Sequence, residues 1–194
     1  MRPLLCAALL AVAAVTVHVA QPADIRIDLG GPALGTLRPS AFEGTARVIP
    51  DPALTPGTAA TSDEQDVCST EGGTYSQRHR LSQNERVKRQ VLARYGVPWE
   101  DRDKYEDDHA VPLCAGGSDA VGNRWPQPRF GAWNAALKDR LEALACHQLC
   151  TAHKIQIDEA QGWFIAPADW RDAYCKHVLP EEADAPDPGC AELR

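Results

Sequence analysis

Tyr105-Glu106-Asp107-Asp108-His109-Ala110-Val111-Pro112-Leu113, then Gly116-Gly117, then Asn123-Arg124-Trp125-Pro126, is the stretch that decides how this chain is read. Two short strands joined by a Gly-containing loop and packed on a helix would bring Asp108, His109, Asn123 and a further residue, Asn134, together. Taken singly, each has a plain structural explanation. An Asp-His pair is common in structural roles, Asn123 suits a turn, Asn134 suits a helix start and Gly116-Gly117 suits a hairpin. Their joint order carries the signal.

Helices are expected on either side. Ser82 and Glu85 form a capping box, Val87, Val91, Leu92 and Tyr95 follow as an apolar stripe, and Gly96 with Pro98 ends it. That segment is basic, with Arg78, Arg80, Arg86, Lys88, Arg89 and Arg94 against Glu85. A solvated helix face and a patch suited to a polyanion both fit it. A second helix runs from near Ala132 to about Cys150 on Trp133, Leu137, Leu141, Leu144 and Ala145. Shorter helices are expected near Asp158–Phe164 and Ala168–Val178, divided by Pro167.

The chain has 194 residues, enough for one ordinary domain and too few for two full-sized ones. Its 20 Lys and Arg face 27 Asp and Glu, a formal charge of −7, which excludes a uniformly basic nucleic-acid binder but not a local basic face. Residues 1–20 read as a signal peptide: Arg2, then an apolar run from Leu4 to Val17, then a small-residue exit at Ala20. The run is short for a membrane span, so a membrane anchor is the lesser reading. Residues 21–66 hold six Pro and five Gly and read as a linker or loosely draped arm, with Ile25, Ile27 and Leu29 alternating as a short strand could. Residues 67–180 form the informative domain, and 181–194 an acidic tail pinned by Cys190.

An exported chain meets an oxidising compartment. Without Cys6, six cysteines remain: Cys68, Cys114, Cys146, Cys150, Cys175 and Cys190. They suggest up to three disulfides, whose connectivity their spacing does not decide. Cys146, Cys150 and His153 lack the paired C-x-x-C of a zinc ribbon, so structural zinc is disfavoured.

The Asp108-His109-x-x-Pro112-Leu113-x-x-Gly116-Gly117-Ser118 run, with Asn123 and Trp125-Pro126-Gln127, resembles the HNH nucleases of the ββα-metal superfamily, in the His-Asn-Asn variant. The resemblance to a secreted or periplasmic branch spans most of the mature chain. It starts at Asp51-Pro52-Ala53-Leu54-Thr55-Pro56-Gly57 and Cys68, passes through Arg80 and Tyr95-Gly96, and ends with Asn134, Lys138-Asp139-x-Leu141-Glu142, Cys150, Ala160-Gln161 and Trp170. It implies an α+β fold: a ββα-metal core with flanking helices, disulfide staples and an irregular N-terminal arm.

By that resemblance His109 is the general base, and one divalent cation, Mg²⁺ with Mn²⁺ as the alternative, is held by Asp108 and Asn134. Asn123 bridges the loop and holds the His109 backbone in place. Lys138 is a candidate phosphate contact, with a surface ion pair to Asp139 as the other reading. The chain departs from the family at Arg124, where an aliphatic residue is usual, with nothing catalytic put in doubt. It also departs at Cys114 and Cys146, which suggests a disulfide gained as a pair.

The resemblance thus implies a secreted, monomeric, metal-dependent endonuclease of low sequence specificity, acting on DNA or RNA through phosphate contacts. Arg78, Arg80, Arg86, Lys88, Arg89 and Lys138 are the candidates for those contacts. The rival is a catalytically silent extracellular scaffold with a binding or structural role. Loss of residues 1–20 removes Arg2 and leaves 19 basic against 27 acidic residues, a net −8 that suits this rival.

Overall fold

A computed structural model of the protein describes residues 47–69 and 85–193. Residues 1–20, read above as a signal peptide, the alternating Ile25-Ile27-Leu29 run, Arg78, Arg80 and the expected Ser82 cap lie outside the described residues. In chain order the elements are α1 (Glu64–Cys68), α2 (Glu85–Arg94), β1 (Tyr105–His109), β2 (Arg124–Pro128), α3 (Ala135–Cys150), α4 (Ile157–Gly162) and α5 (Trp170–Ala173). A wide π turn follows at Tyr174–Val178, then α6 (Leu179–Glu181). The fold is therefore mixed α+β.

β1 and β2 make a two-stranded antiparallel sheet with His109 opposite Arg124, Asp108 opposite Trp125 and Asp107 opposite Pro126. Strand alternation separates the acidic run: Asp107 and His109 share one face with Arg124, and Asp108 points to the other. The connection turns at Gly116-Gly117. A Cβ on Gly117 would lie 1.9 Å from the Val111 carbonyl oxygen, so no larger residue fits there.

α2 ends in a Schellman motif. Gly96 takes φ +69, the Val97 N–H reaches the Leu92 carbonyl at 2.9 Å, and the Gly96 N–H reaches Ala93 at 3.1 Å. Leu92 and Tyr95 then pack with Val97, Tyr105, Ala110 and Trp125 in one small core. The larger core lies along α3, where Leu137, Leu141, Leu144, Ala145 and Leu149 meet Val111, Trp163, Phe164, Tyr174 and Val178. Those α3 positions follow the 3.6-residue period expected of the segment.

The described part of the N-terminal arm is fixed in place. Ala59 bridges Gly117, and buried Thr55 donates to the Arg124 carbonyl at 2.9 Å while accepting from the Tyr95 hydroxyl at 2.8 Å. Arg94 donates to the Leu54 carbonyl and, at 2.6 Å, to Val121. Three disulfides staple the rest: Cys68–Cys150, Cys114–Cys146 and Cys175–Cys190. The first two anchor α1 and the Leu113–Ala115 turn to α3. Among the described residues no helix is long and apolar enough to cross a membrane.

Candidate active site

The loop between the strands is organised around Asn123, which is fully buried. Its Oδ1 accepts from the Val111 N–H and the Thr58 N–H, each at 3.1 Å. Its Nδ2 donates to the Val111 carbonyl at 2.9 Å and the Ser118 carbonyl at 2.7 Å. Its own carbonyl accepts from Ala110 at 2.7 Å. One amide therefore ties together the exit of β1, the glycine turn and the arm.

His109 ends β1, its side chain 13% exposed and its Nε2 2.9 Å from Asp119 Oδ1. Burial lowers its pKa below the ordinary histidine value, with Asp108 and Asp119 opposing that shift. That shift favours the neutral ring, the state a proton acceptor needs. Arg124, its cross-strand neighbour, brings Nε to 3.3 Å from His109 Nε2. The Arg124 guanidinium also reaches Asp107 Oδ2 at 3.2 Å and Asp119 Oδ1 at 3.5 Å. Burial lifts the Asp107 carboxyl to about 6 against the pull of Arg124, and its Oδ1 has no hydrogen-bond partner among the described residues.

On the other face, Asp108 Oδ2 meets the Lys138 ammonium at 2.6 Å. Lys138 also donates to the His109 carbonyl at 2.8 Å and to Glu142, one turn along α3. Burial alone would lower the lysine pKa, but Asp108 and Glu142 raise it, so the ammonium stays charged. This corrects the reading of Lys138 as a phosphate contact or a surface ion pair. Its side chain is 1% exposed, and its partners are Asp108 and Glu142.

Asn134 sits at the N-cap of α3, its Oδ1 accepting from Ala136 at 3.1 Å and its Nδ2 donating to Gly131 at 2.9 Å. Asp108 and Asn134 are both oxygen donors, and each keeps acceptor capacity beyond the bonds just named. Oxygen donors of this kind are what a hard cation retaining several waters takes, and here Asp108 Oδ2 already carries the Lys138 ammonium. Among the described residues no three His, Cys, Asp or Glu side chains gather as a metal cluster.

Of the remaining candidates, Arg86 and Arg89 are exposed on α2. The Arg89 guanidinium lies 3.9 Å above the Trp99 ring. Lys88 is half-buried and donates to the Tyr105 carbonyl at 3.0 Å. Asp119, Arg124, Asp107 and Glu142 were not singled out by sequence as site residues. Asp119 follows Gly116-Gly117-Ser118 and reads as one more turn residue; only its position in the folded loop reveals it. No family model, curated protein or solved structure matches the chain.

Proposed function

We propose that this protein is a secreted, metal-dependent endonuclease that hydrolyses phosphodiester bonds of DNA or RNA with little sequence preference, built on an HNH-type ββα core. The observation that carries this reading is a largely buried His109 beside Asp108 at the end of a strand, with the following backbone clamped by the Asn123 amide. A histidine so placed can accept the proton of an attacking water. Asp108 and Asn134 would hold a divalent cation, which when bound supplies charge neutralisation at the scissile phosphate and the departing oxygen. Asn123 keeps the loop rigid, and the exposed Arg86 and Arg89 supply sequence-blind phosphate contacts. Three disulfides suit the oxidising compartment that residues 1–20 would target.

A second reading, a silent scaffold, draws on the ammonium already seated against Asp108. Plasmid cleavage separates the two. The mature chain, residues 21–194, is assayed with Mg²⁺, with Mn²⁺ and with EDTA, beside His109→Ala. Metal-dependent nicking that disappears in the variant is the expected result. Equal cutting by the variant would remove His109 from the chemistry. A folded, disulfide-intact wild type that cuts neither DNA nor RNA would establish the scaffold.

A further inference from the structure

We infer that Asp119, held by Arg124, is a positioning residue that fixes His109 as the Nε2–H tautomer and leaves Nδ1 as the proton acceptor. The inference rests on the reading of His109 as general base and adds the atom that does the work.

The argument starts from what a carboxylate can do. Asp119 Oδ1 lies 2.9 Å from His109 Nε2, and an ionised carboxylate only accepts, so the hydrogen between them belongs to the imidazole. A neutral ring carries one N–H, which places the lone pair on Nδ1. Among the described residues no polar group is hydrogen-bonded to Nδ1. The Arg124 Nε–H is directed at the same Nε2 from 3.3 Å; the shorter contact, 2.9 Å to the Asp119 carboxylate, is the charge-assisted one and sets where the ring proton sits. The arginine's service is to the carboxylate: the guanidinium bridges Asp119 Oδ1 at 3.5 Å and Asp107 Oδ2 at 3.2 Å.

Arg124 is 3% exposed, and its place opposite His109 is set by the strand register and by its neighbour Asn123. Asp119 itself is 26% exposed and sits on a loop; without the arginine it would have solvent as a competing partner. The arrangement therefore orients the base through two steps, Arg124 to Asp119 and Asp119 to His109. Partners that orient metal-ligating histidines are worth roughly 10–100-fold where they have been removed from other sites, and a partner that orients a base is expected to act on the same order.

The test reads the tautomer directly. ¹⁵N-labelled mature wild type, Asp119→Ala and Asp119→Asn are compared by long-range ¹H–¹⁵N correlation of the His109 ring above its pKa, in EDTA, and then by cleavage kinetics with Mg²⁺. The expected wild-type spectrum has a protonated Nε2 and an unprotonated Nδ1. Asp119→Ala should show a mixed or Nδ1–H ring and a kcat lower by roughly 10–100-fold with KM little changed. Asp119→Asn, whose amide oxygen still accepts, should restore the tautomer in part. A wild type carrying Nδ1–H, or a ring unchanged in Asp119→Ala, overturns the inference. A wild type with the expected tautomer and no cleavage supports the positioning geometry and overturns the nuclease reading instead.

Discussion

Lys138 and Asp108 form an ion pair with Nζ–Oδ2 2.6 Å and the lysine side chain 1% exposed, sealed between β1 and α3. Removing two charges from water costs several kcal/mol per ion, and the pair persists because the ammonium has three acceptors: Asp108, Glu142 and the His109 carbonyl. The same lysine thus holds the strand end that carries the proposed base.

Lys138→Met keeps the side-chain volume and strands two buried carboxylates. The expected loss is about 3–5 kcal/mol in urea unfolding of oxidised residues 21–194, the range for breaking one partner out of a buried pair. A loss below about 1 kcal/mol, the ceiling of a surface salt bridge, would show that the lysine is solvated.

Asn123→Ala should be nearly as damaging, for a different reason. It leaves the Thr58 and Val111 N–H groups and the Val111 and Ser118 carbonyls without their partner. Buried groups left unsatisfied cost about 1–3 kcal/mol each, and partial relaxation sets the expected total on the order of 3 kcal/mol. Asn123→Asp supplies acceptors but faces two carbonyls with a carboxylate, so it should not rescue stability. Hydrogen exchange gives the specific check: the Thr58 and Val111 amides should lose protection before those of α3. Unchanged protection there would dissociate Asn123 from the loop.

Much of this arrangement was legible in the chain because local rules fix it. The Leu137-Leu141-Leu144 period gives α3, Gly96 ends α2, and the Gly116-Gly117 pair marks the turn between strands. The Cys114–Cys146 link, suggested by their departure from the family pattern, is present. What sequence could not supply were contacts made across elements. Lys138 beside Asp139 looks like a surface residue until β1 packs over it. Asp119 looks like a turn residue until the loop carries it to His109. Arg124 breaks an aliphatic position, and only the strand register places its guanidinium among Asp107, Asp119 and the imidazole.

The three disulfides close loops of different length, with sequence separations of 82 for Cys68–Cys150, 32 for Cys114–Cys146 and 15 for Cys175–Cys190. If each acts mainly on the unfolded chain, paired Cys→Ala replacement should cost about 3–5 kcal/mol, decreasing in that order. Urea midpoints and slopes for the three double variants measure it. A largest loss at Cys175–Cys190 would mean that native packing, not chain entropy, dominates.

His177 stacks on Trp163 with ring centroids 4.1 Å apart and planes 18° from parallel. Burial, then the Lys176 charge, lowers its pKa, against the pull of Glu159 and Glu181. The unfolded chain titrates this residue near the ordinary value, about 6.5. Below that pH the unfolded state takes up the proton before the folded state does, so acidification removes stability until the lower folded pKa is passed. His177→Phe keeps an aromatic ring against Trp163 and has no proton to gain. Between about pH 7.5 and 5.5 the wild type should therefore lose stability relative to the variant, as urea unfolding at each pH would measure. A difference that stays constant across that window would mean that His177 titrates alike in the folded and unfolded chains.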